Sequence, residues 1–454
     1  MSKPDSIPQL PLSFHPDLPL TVSFDAPETS SDGGWLLLRQ IDDQLGVTRT
    51  LAARMPDRRD PERVEHDRHE QLRQRVYQIA LGYEDCNDAD RLRHDPVLKT
   101  VCNRTPQSRL GLSSQPTLSR FENAITARGL NAMIDDFEQS YVDALPVDTH
   151  QVVLDIDPTD DETHGHQQLS FFHGFYDQHM YHPLLVFDDQ GQLVSVLLRP
   201  GNAHAARSAK IVLCRLIRRI KARFPAAQIT VRADSGFCVP RILDQLEQLD
   251  RELGDIEYVI GIAKNPRLRA QAQPAIEEAQ RRFEQTGRHV RHFASIRYAA
   301  HTWSRERHVV VKAEHHAKGP NPRFVVTTLD QFSPQLLYDV GYCARGQCEN
   351  FIKDFKNALA ADRLSCGRYL ANCFRLLLHA AAYRLMYALR NAARSVAPVL
   401  GLAQFDTLRL RLLKVAAHVV QSVRRLLVRL PRAFPYADAF RALALALAAP
   451  PAPS

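Results

Sequence analysis

Four things are missing from this 454-residue sequence, and each narrows what it can be. The eight cysteines, Cys86, Cys102, Cys214, Cys238, Cys343, Cys348, Cys366 and Cys373, form no Cys-x-x-Cys pair. That removes the common zinc and dithiol patterns. Cys343 and Cys348 would fall about 140° apart on a helix, too far round to share a metal. No secretory signal opens the chain, so a cytoplasm with reduced thiols is expected, most of them small core residues. The longest apolar stretch, FRALALALAAPP near the end, is too short to span a bilayer, so no membrane role is expected. No internal repeat is visible.

What is present is ordinary in bulk. Hydrophobic content is 44% and charged content 24%, the balance of a globular protein with room for two or three domains. Net charge is +7 and the isoelectric point about 9.0, a mild pull toward a polyanion. Arginine dominates the cations, and its planar fork suits phosphate.

Along the chain, residues 1–19 are proline-rich and expected to be poorly ordered. The first 145 residues read as mainly helical. One helix is expected after a short strand, opened by Ser31 or Asp32. A second runs through EHDRHEQLRQRVYQIALGYED to Gly82. Two more lie in TLSRFENAITARGLNAMIDDFEQSYVDAL, with Thr117 or Ser119 as N-cap. The character changes at QVVLDID, residues 151–157, a buried-type strand. A hairpin, an amphipathic helix, the strand AQITVRADSGF, another helix and the strand EYVIGIAK follow. Strands alternating with helices favour an α/β sheet covered by helices. Residues 265–332 differ, with a charged helix and then three strand-like runs. Two long helices are expected after them, YLANCFRLLLHAAAYRLMYALRNAARS and residues 404–430, the second rich in Arg.

Two carboxylate positions lie where strands run out: Asp157, with Asp155 on the same face, and Asp234. Asp160 and Asp161 crowd the first of them, and strand pattern alone does not choose among these four. Strand ends are where α/β folds place chemistry. A third acid, Glu349, belongs to a helical stripe in GYCARGQCENFIKDFKNAL. At 100° per residue Tyr342, Arg345, Glu349, Lys353 and Lys356 fall within about 80° of one another, while Phe351 and Phe355 face elsewhere. Such a stripe is either a solvated charged face or an acid presented to metal and polyanion between cations. Mg²⁺ takes oxygen ligands, and two such ions can activate water and stabilise a leaving oxygen in phosphodiester cleavage.

The chain resembles the DDE transposases of bacterial insertion sequences, in the group marked by Tyr-x2-Arg-x3-Glu-x6-Lys (the YREK signature of the thirteen-eighty-like elements). Here that signature is Tyr342, Arg345, Glu349 and Lys356. SSDGG, GYEDCNDADRLRHDP, TLSRFEN, LDIDPTDDETHGHQ, VRADSGFC, RYAAHTWSRERHVVVKAEHHAKGPNPRFVVT and FRLLLHAAAYRLM extend the likeness over most of the chain. The resemblance implies an α/β fold with an RNase H-like mixed-sheet catalytic core, interrupted by a β-rich insert and flanked by helical terminal regions. The expected division is 1–148 for DNA-end binding, 149–262 and 333–395 for the core, 263–332 for the insertion and 396–454 for a helical C-terminal region. By the Asp-x-Thr pattern the first metal ligand is carried onto Asp157, with Asp155 as fallback, the second onto Asp234 and the third onto Glu349. Tyr342, Arg345 and Lys356 inherit contact with DNA phosphates. Lys353 shares their stripe and is expected to do the same.

The resemblance also implies Mg²⁺, two ions with Mn²⁺ able to substitute, and double-stranded DNA as partner, both terminal inverted repeats and target. It implies a homodimer on the two ends and a nucleoid-associated location. The expected reaction is strand cleavage and transfer through a hairpin end. The alternative is an inactive, transposase-derived DNA-binding protein or repressor. Trp303 is a candidate for base stacking, weighed against packing in a hairpin. His164 and His166 are near Asp157 in sequence, and His315 and His316 read as a surface turn.

Overall fold

Val152, Leu154 and Ile156 are buried, as their run of apolar neighbours predicts, in strand β1 (Gln151–Pro158). The computed structural model describes residues 10–12, 18, 20–23, 25–57 and 59–448. The disorder expected of segment 1–19 falls mostly outside them. Strands β2 (Leu184–Asp188) and β3 (Leu193–Leu197) fold back antiparallel beside β1. Helix α1 (Ala209–Arg223) then crosses over to β4 (Gln228–Ala233), parallel to β1. Helix α2 (Pro240–Leu253) crosses to β5 (Ile256–Ile262), parallel to β4. The order β3-β2-β1-β4-β5 is the mixed, RNase H-like α/β arrangement the resemblance implies.

Helix α3 (Gln273–Thr286) leads to β6 (Val290–Tyr298), β7 (Arg307–His316) and β8 (Arg323–Thr327). These three come from the expected insertion, and they continue the same sheet. β8 lies antiparallel beside β5, with β7 and β6 outside it. A short pairing at Gly319–Pro320 completes nine strands. His315, expected in a surface turn, is instead a buried residue of β7 stacked on Phe283 at 4.9 Å.

Strand alternation sorts the core. Tyr258 and Ile260 face α1 and α2, whose Leu213, Leu216, Ile217, Leu243 and Leu246 are buried against the sheet. Val259, Val310 and Val325 face the other way, toward Leu337 and Tyr338. Those two lie in a helical run from Pro334 to Ala358. Its middle is α4 (Gly346–Lys353), and α5 (Tyr369–Val396) follows.

Cα packing divides the chain into two compact units. The sheet lies in the one that holds Val47–Arg58 and Phe121–Tyr387. The other joins Met1–Gly46, Arg59–Arg120 and Ala388–Pro450. In this second unit Trp35, Leu38, Leu72, Val76 and Tyr77 are buried. The helix Trp35–Leu45 is capped by Gly34, without a side-chain bond from Ser31 or Asp32. Gly33 and Gly34 instead let the backbone donate to Val415 O (2.7 Å) and Leu413 O (3.1 Å), an approach with little room for a Cβ. Thr117 and Ser119 lie inside the helix Gln115–Asn123, and the true N-cap nearby is Thr126, for Ala127–Ala144.

The long helix expected at 404–430 does not form. Helix continues only to Leu413, and Ala417–Gln421 and Leu426–Arg429 make an antiparallel hairpin against Thr29–Ser30. Val415, Val419, Val420, Val423 and Val428 stiffen this stretch, and β-branched residues favour strands. Ser422 turns the chain through bonds with Arg425. No helix among the described residues is long and apolar enough to cross a membrane, and all eight cysteines are free.

Candidate active site

Parallel neighbours β1 and β4 run to the same end of the sheet. Ala233 pairs with Ile156, so Asp234, the first residue past β4, comes level with Asp157 on β1. Asp234 caps a single helical turn, its Oδ1 accepting from Gly236 N at 2.9 Å. Glu349 is in the first turn of α4 with an exposed side chain.

Aromatic packing sets α4 in place. Phe351 meets Phe187 with ring centroids 5.7 Å apart. It also covers Gly191 in the β2–β3 turn, where a Cβ would stand 2.5 Å from the Phe351 ring and φ is +86°. Tyr383 on α5 donates to Gly191 O at 2.8 Å and packs against buried Phe355. Both phenylalanines thus turn inward, as the helical phase predicts.

The run that carries the signature is not one regular α-helix. Wider π turns at Leu337–Tyr342 and Asp354–Ala358 flank a tight turn at Cys343–Arg345 and then α4. Gly341 and Gly346, weak helix formers, lie at or beside the changes of pitch. The uniform 100° stripe is therefore replaced by residues with different surroundings. Arg345 Nη1 meets Asp157 Oδ2 at 2.9 Å. Lys356 Nζ meets Asp160 Oδ1 at 2.8 Å and Asp362 at 3.9 Å. Tyr342 is partly buried, its hydroxyl against Gly261 of β5, where a Cβ would come within 2.6 Å. Lys353 is exposed.

The four crowded aspartates separate by environment. Asp155 is buried and held by both oxygens to Arg232, at 2.7 and 2.6 Å. Asp161 is buried, and burial pushes its carboxyl well above the carboxylate range. Burial acts on Asp160 too, but the Lys356 ammonium holds that carboxyl below its ordinary value. Asp157 is different. Burial pushes its carboxyl up to about 7; Arg345 opposes this, while the charges of Asp234, Glu349 and Asp155 add to it. Asp157 is the acid of the four that has a single cation bond and feels both other members of the trio.

A carboxyl raised by the charges of two neighbouring carboxylates is short of positive charge, and an all-oxygen donor set suits a hard divalent cation. The donors therefore fit Mg²⁺ by type. Their present spacing does not close a coordination sphere: among the described residues no group of three or more His, Cys, Asp and Glu is placed to hold a metal. Arg345 covers one Asp157 oxygen, and Glu349 faces solvent.

Trp303 is apart from these residues. It lies in the β6–β7 turn, which leaves the sheet at Tyr298 and Arg307, level with Tyr258 and heading away from the strand ends that carry the acids. Its ring lies edge-on to Tyr298 at 5.4 Å and under the Arg307 guanidinium at 5.1 Å. Those contacts are hairpin packing. His164 is largely exposed, 3.8 Å from Glu162.

Two features at the acid end were not read from sequence. The hairpin between β1 and β2 brings Tyr176 close to the acids; burial raises its phenol, and the charges of Asp160, Asp157 and Asp234 raise it further. The signal was there in SFFHGFYDQHMY, five aromatics around a glycine. Past the end of β5, Lys264, Arg269, Pro266, Pro322 and Phe324 line a pocket of about 390 Å³.

The family described as "Transposase DDE domain group 1" matches residues 13–451. Among solved structures, a piggyBac transposase synaptic complex with hairpin DNA is similar at 8% identity, with a TM-score of 0.40. The likeness covers 79% of this chain and 74% of that one. No curated protein matches significantly.

Proposed function

Because the chain belongs to the DDE transposase family, we propose that it cuts DNA at the terminal inverted repeats of its own insertion sequence and joins the freed ends to target DNA. The YREK-signature group is the part of the family to which Tyr342, Arg345, Glu349 and Lys356 assign it. The observation that carries the reading is geometric: Asp157 and Asp234 stand level at neighbouring strand ends, and the signature's Arg345 meets Asp157 at 2.9 Å.

In this reading Asp157, Asp234 and Glu349 hold the metal. Two Mg²⁺ ions, or Mn²⁺ in their place, would supply an activated attacking oxygen and a stabilised leaving oxygen. The chain's own part is positioning. Arg345 and Lys356 exchange their carboxylate partners for the DNA backbone, Tyr342 donates to a phosphate oxygen, and Lys353 adds a cation at the rim. Asp155 supports the strand through Arg232 and is not a ligand. Hydrolysis frees a 3′-hydroxyl. That hydroxyl then attacks the opposite strand, forming a new P–O bond as the old one breaks and leaving a hairpin end. Two ends require two active sites, so a homodimer forms on DNA.

The test is Mg²⁺-dependent cleavage of a fragment carrying the element's own left end, with wild type and Glu349→Gln. Cutting at the boundary by wild type alone is the expected result, with a hairpin product. Specific binding with no cutting by either protein, on either end, would replace this reading with that of a transposase-derived repressor.

A further inference from the structure

Between Asp406 and Asp438 the sequence has no acidic residue and seven cations. Seven is also the formal net charge of the whole chain. The fold uses three of these cations. Arg409 pairs with Asp406 at 3.0 Å and donates to Ala80 O. Lys414 pairs with buried Asp32 at 2.8 Å. Arg411 lies over the Tyr436 ring. The other four, Arg424, Arg425, Arg429 and Arg432, are exposed, and among the described residues none of their side chains meets a carboxylate.

Three of the four stand on the hairpin formed by Ala417–Gln421 and Leu426–Arg429, in the unit that holds Ala388–Pro450. Its stem is anchored. Ala417 and Val419 are buried, Ala417 pairs with Ser30, and Val419 N donates to Glu28 O at 2.9 Å. Strand alternation turns His418 and its partner Arg429 to the opposite face. At the tip Ser422 N donates to Arg425 O at 2.9 Å, so Val423 and Arg424 make the turn. Val423 is fully exposed, and the tip stands clear of its own unit. Leu426–Arg429 is an edge strand, and charges on an edge keep it from pairing with another chain. That role accounts for Arg429. It does not account for two arginines at the turn, where the ladder has ended. From Ala416 to Arg432 there is also no aromatic ring to stack on a base. Guanidinium forks with no acid among them suit phosphate.

We propose that this hairpin grips the sugar–phosphate backbone of duplex DNA through Arg424, Arg425 and Arg429. The proposal rests on the DNA-cleaving reading and deepens it. It gives the duplex a contact outside segment 1–148, where DNA-end binding is expected from sequence. Phosphate contacts fix position and register and carry no sequence information directly. The hairpin is therefore a positioning element, and reading of the end sequence falls to other residues.

The experiment measures binding of the full-length protein to two duplexes, the element's left end and an unrelated sequence, by fluorescence anisotropy without divalent metal at several salt concentrations. The proteins are wild type, the triple variant Arg424→Gln/Arg425→Gln/Arg429→Gln, the matching triple lysine variant, and Arg424→Gln alone. The triple glutamine variant should lose about 2.7 units of salt slope, at about 0.9 for each phosphate contact. Raising salt from about 50 to 200 mM should then weaken wild type roughly fortyfold more than this variant, on both duplexes alike. The lysine variant should keep the slope. Arg424→Gln, in a turn with no packing to lose, should give up about one unit. An unchanged slope in the glutamine variants, or lysine replacements that lose as much as glutamine ones, would overturn the proposal. So would a glutamine variant that self-associates in the absence of DNA while its slope is kept, because the arginines would then serve only to protect the edge. If wild type binds neither duplex, the DNA-cleaving reading fails along with the hairpin contact. Binding and Mg²⁺-dependent cutting of the end with an unchanged slope remove the hairpin contact alone.

Discussion

The sheet has arginine–carboxylate clusters toward both of its ends, and they differ in how fully the charges are matched. Away from the acids, Arg307 bonds both oxygens of Glu247 (2.6 and 3.1 Å) and Asp244 (2.6 Å). Glu247 also accepts from Arg305 and from Tyr258. Despite burial, those bonds hold the Glu247 carboxyl below its ordinary value. At the strand ends, Asp157 has one bond from Arg345, and its carboxyl goes up to about 7. The same residue types give opposite outcomes. Saturated pairing is what a fold needs; a carboxylate left short of positive charge is what a site for a cation needs.

Five substitutions would break or sharpen that contrast. The largest effect is expected at the under-matched end. Asp157→Asn and Glu349→Gln should each lower single-turnover cleavage by roughly a thousandfold or more, as for members of a unit that acts together. Their thermal unfolding should stay near wild type. At the matched end the pattern should reverse. Arg307→Met leaves Glu247 buried without its main partner and should cost about 3–5 kcal/mol in urea unfolding. Cleavage per folded molecule should be unchanged.

Arg345→Gln probes the boundary between the two behaviours. It removes a proposed phosphate partner, so DNA affinity should fall uniformly across sequences and the salt dependence should lose about one unit of slope. Binding isotherms at several salt concentrations read both. The smallest effect concerns Asp188, a buried carboxyl of the β2–β3 turn that lies at neither cluster. Burial raises it to about 7, against the bonds from Gln192 and Gln190. The folded state therefore keeps a proton that the unfolded state loses, and stability falls as pH rises from about 4 to 7. Asp188→Asn keeps an acceptor for both backbone donors. It should gain stability relative to wild type above pH 7 and gain none below pH 4. The gain is a few kcal/mol at most, since each tenfold change in proton affinity is worth about 1.4 kcal/mol. Chemical unfolding at pH 4, 6 and 8 checks the sign.

Much of this was legible in the residues. The strands at 151–158, 228–233 and 256–262 announce themselves by apolar, β-branched runs between polar turns, and the acids at their ends follow by position. Spacing alone brought Arg345 and Glu349 into one argument. What could not be read was whatever depends on a distant neighbour. Nothing near residue 261 says that its glycine clears space for the Tyr342 hydroxyl. The π turns beside α4 come from packing against the sheet, so the regular stripe was an idealisation. At 404–430 the apolar positions fit a helix or a hairpin, and pairing with Thr29–Ser30, almost four hundred residues earlier, decided it. The pairing that sets Asp155 apart from Asp157 needed Arg232, one residue before the other strand's end, which gives no sign of its partner.

The order in which the chain is made adds a consequence to the order of the sheet. β1 and β4 are synthesised and can pair well before the helical run that follows β8. A ribosome therefore releases Asp157 and Asp234 first, then four more strands, and Glu349 only afterwards. The outer strands β6 to β8 act as a delay written into the gene. Throughout that interval the emerging protein carries two of the three acids, so on the DNA-cleaving reading its site stays incomplete until the sheet has been made.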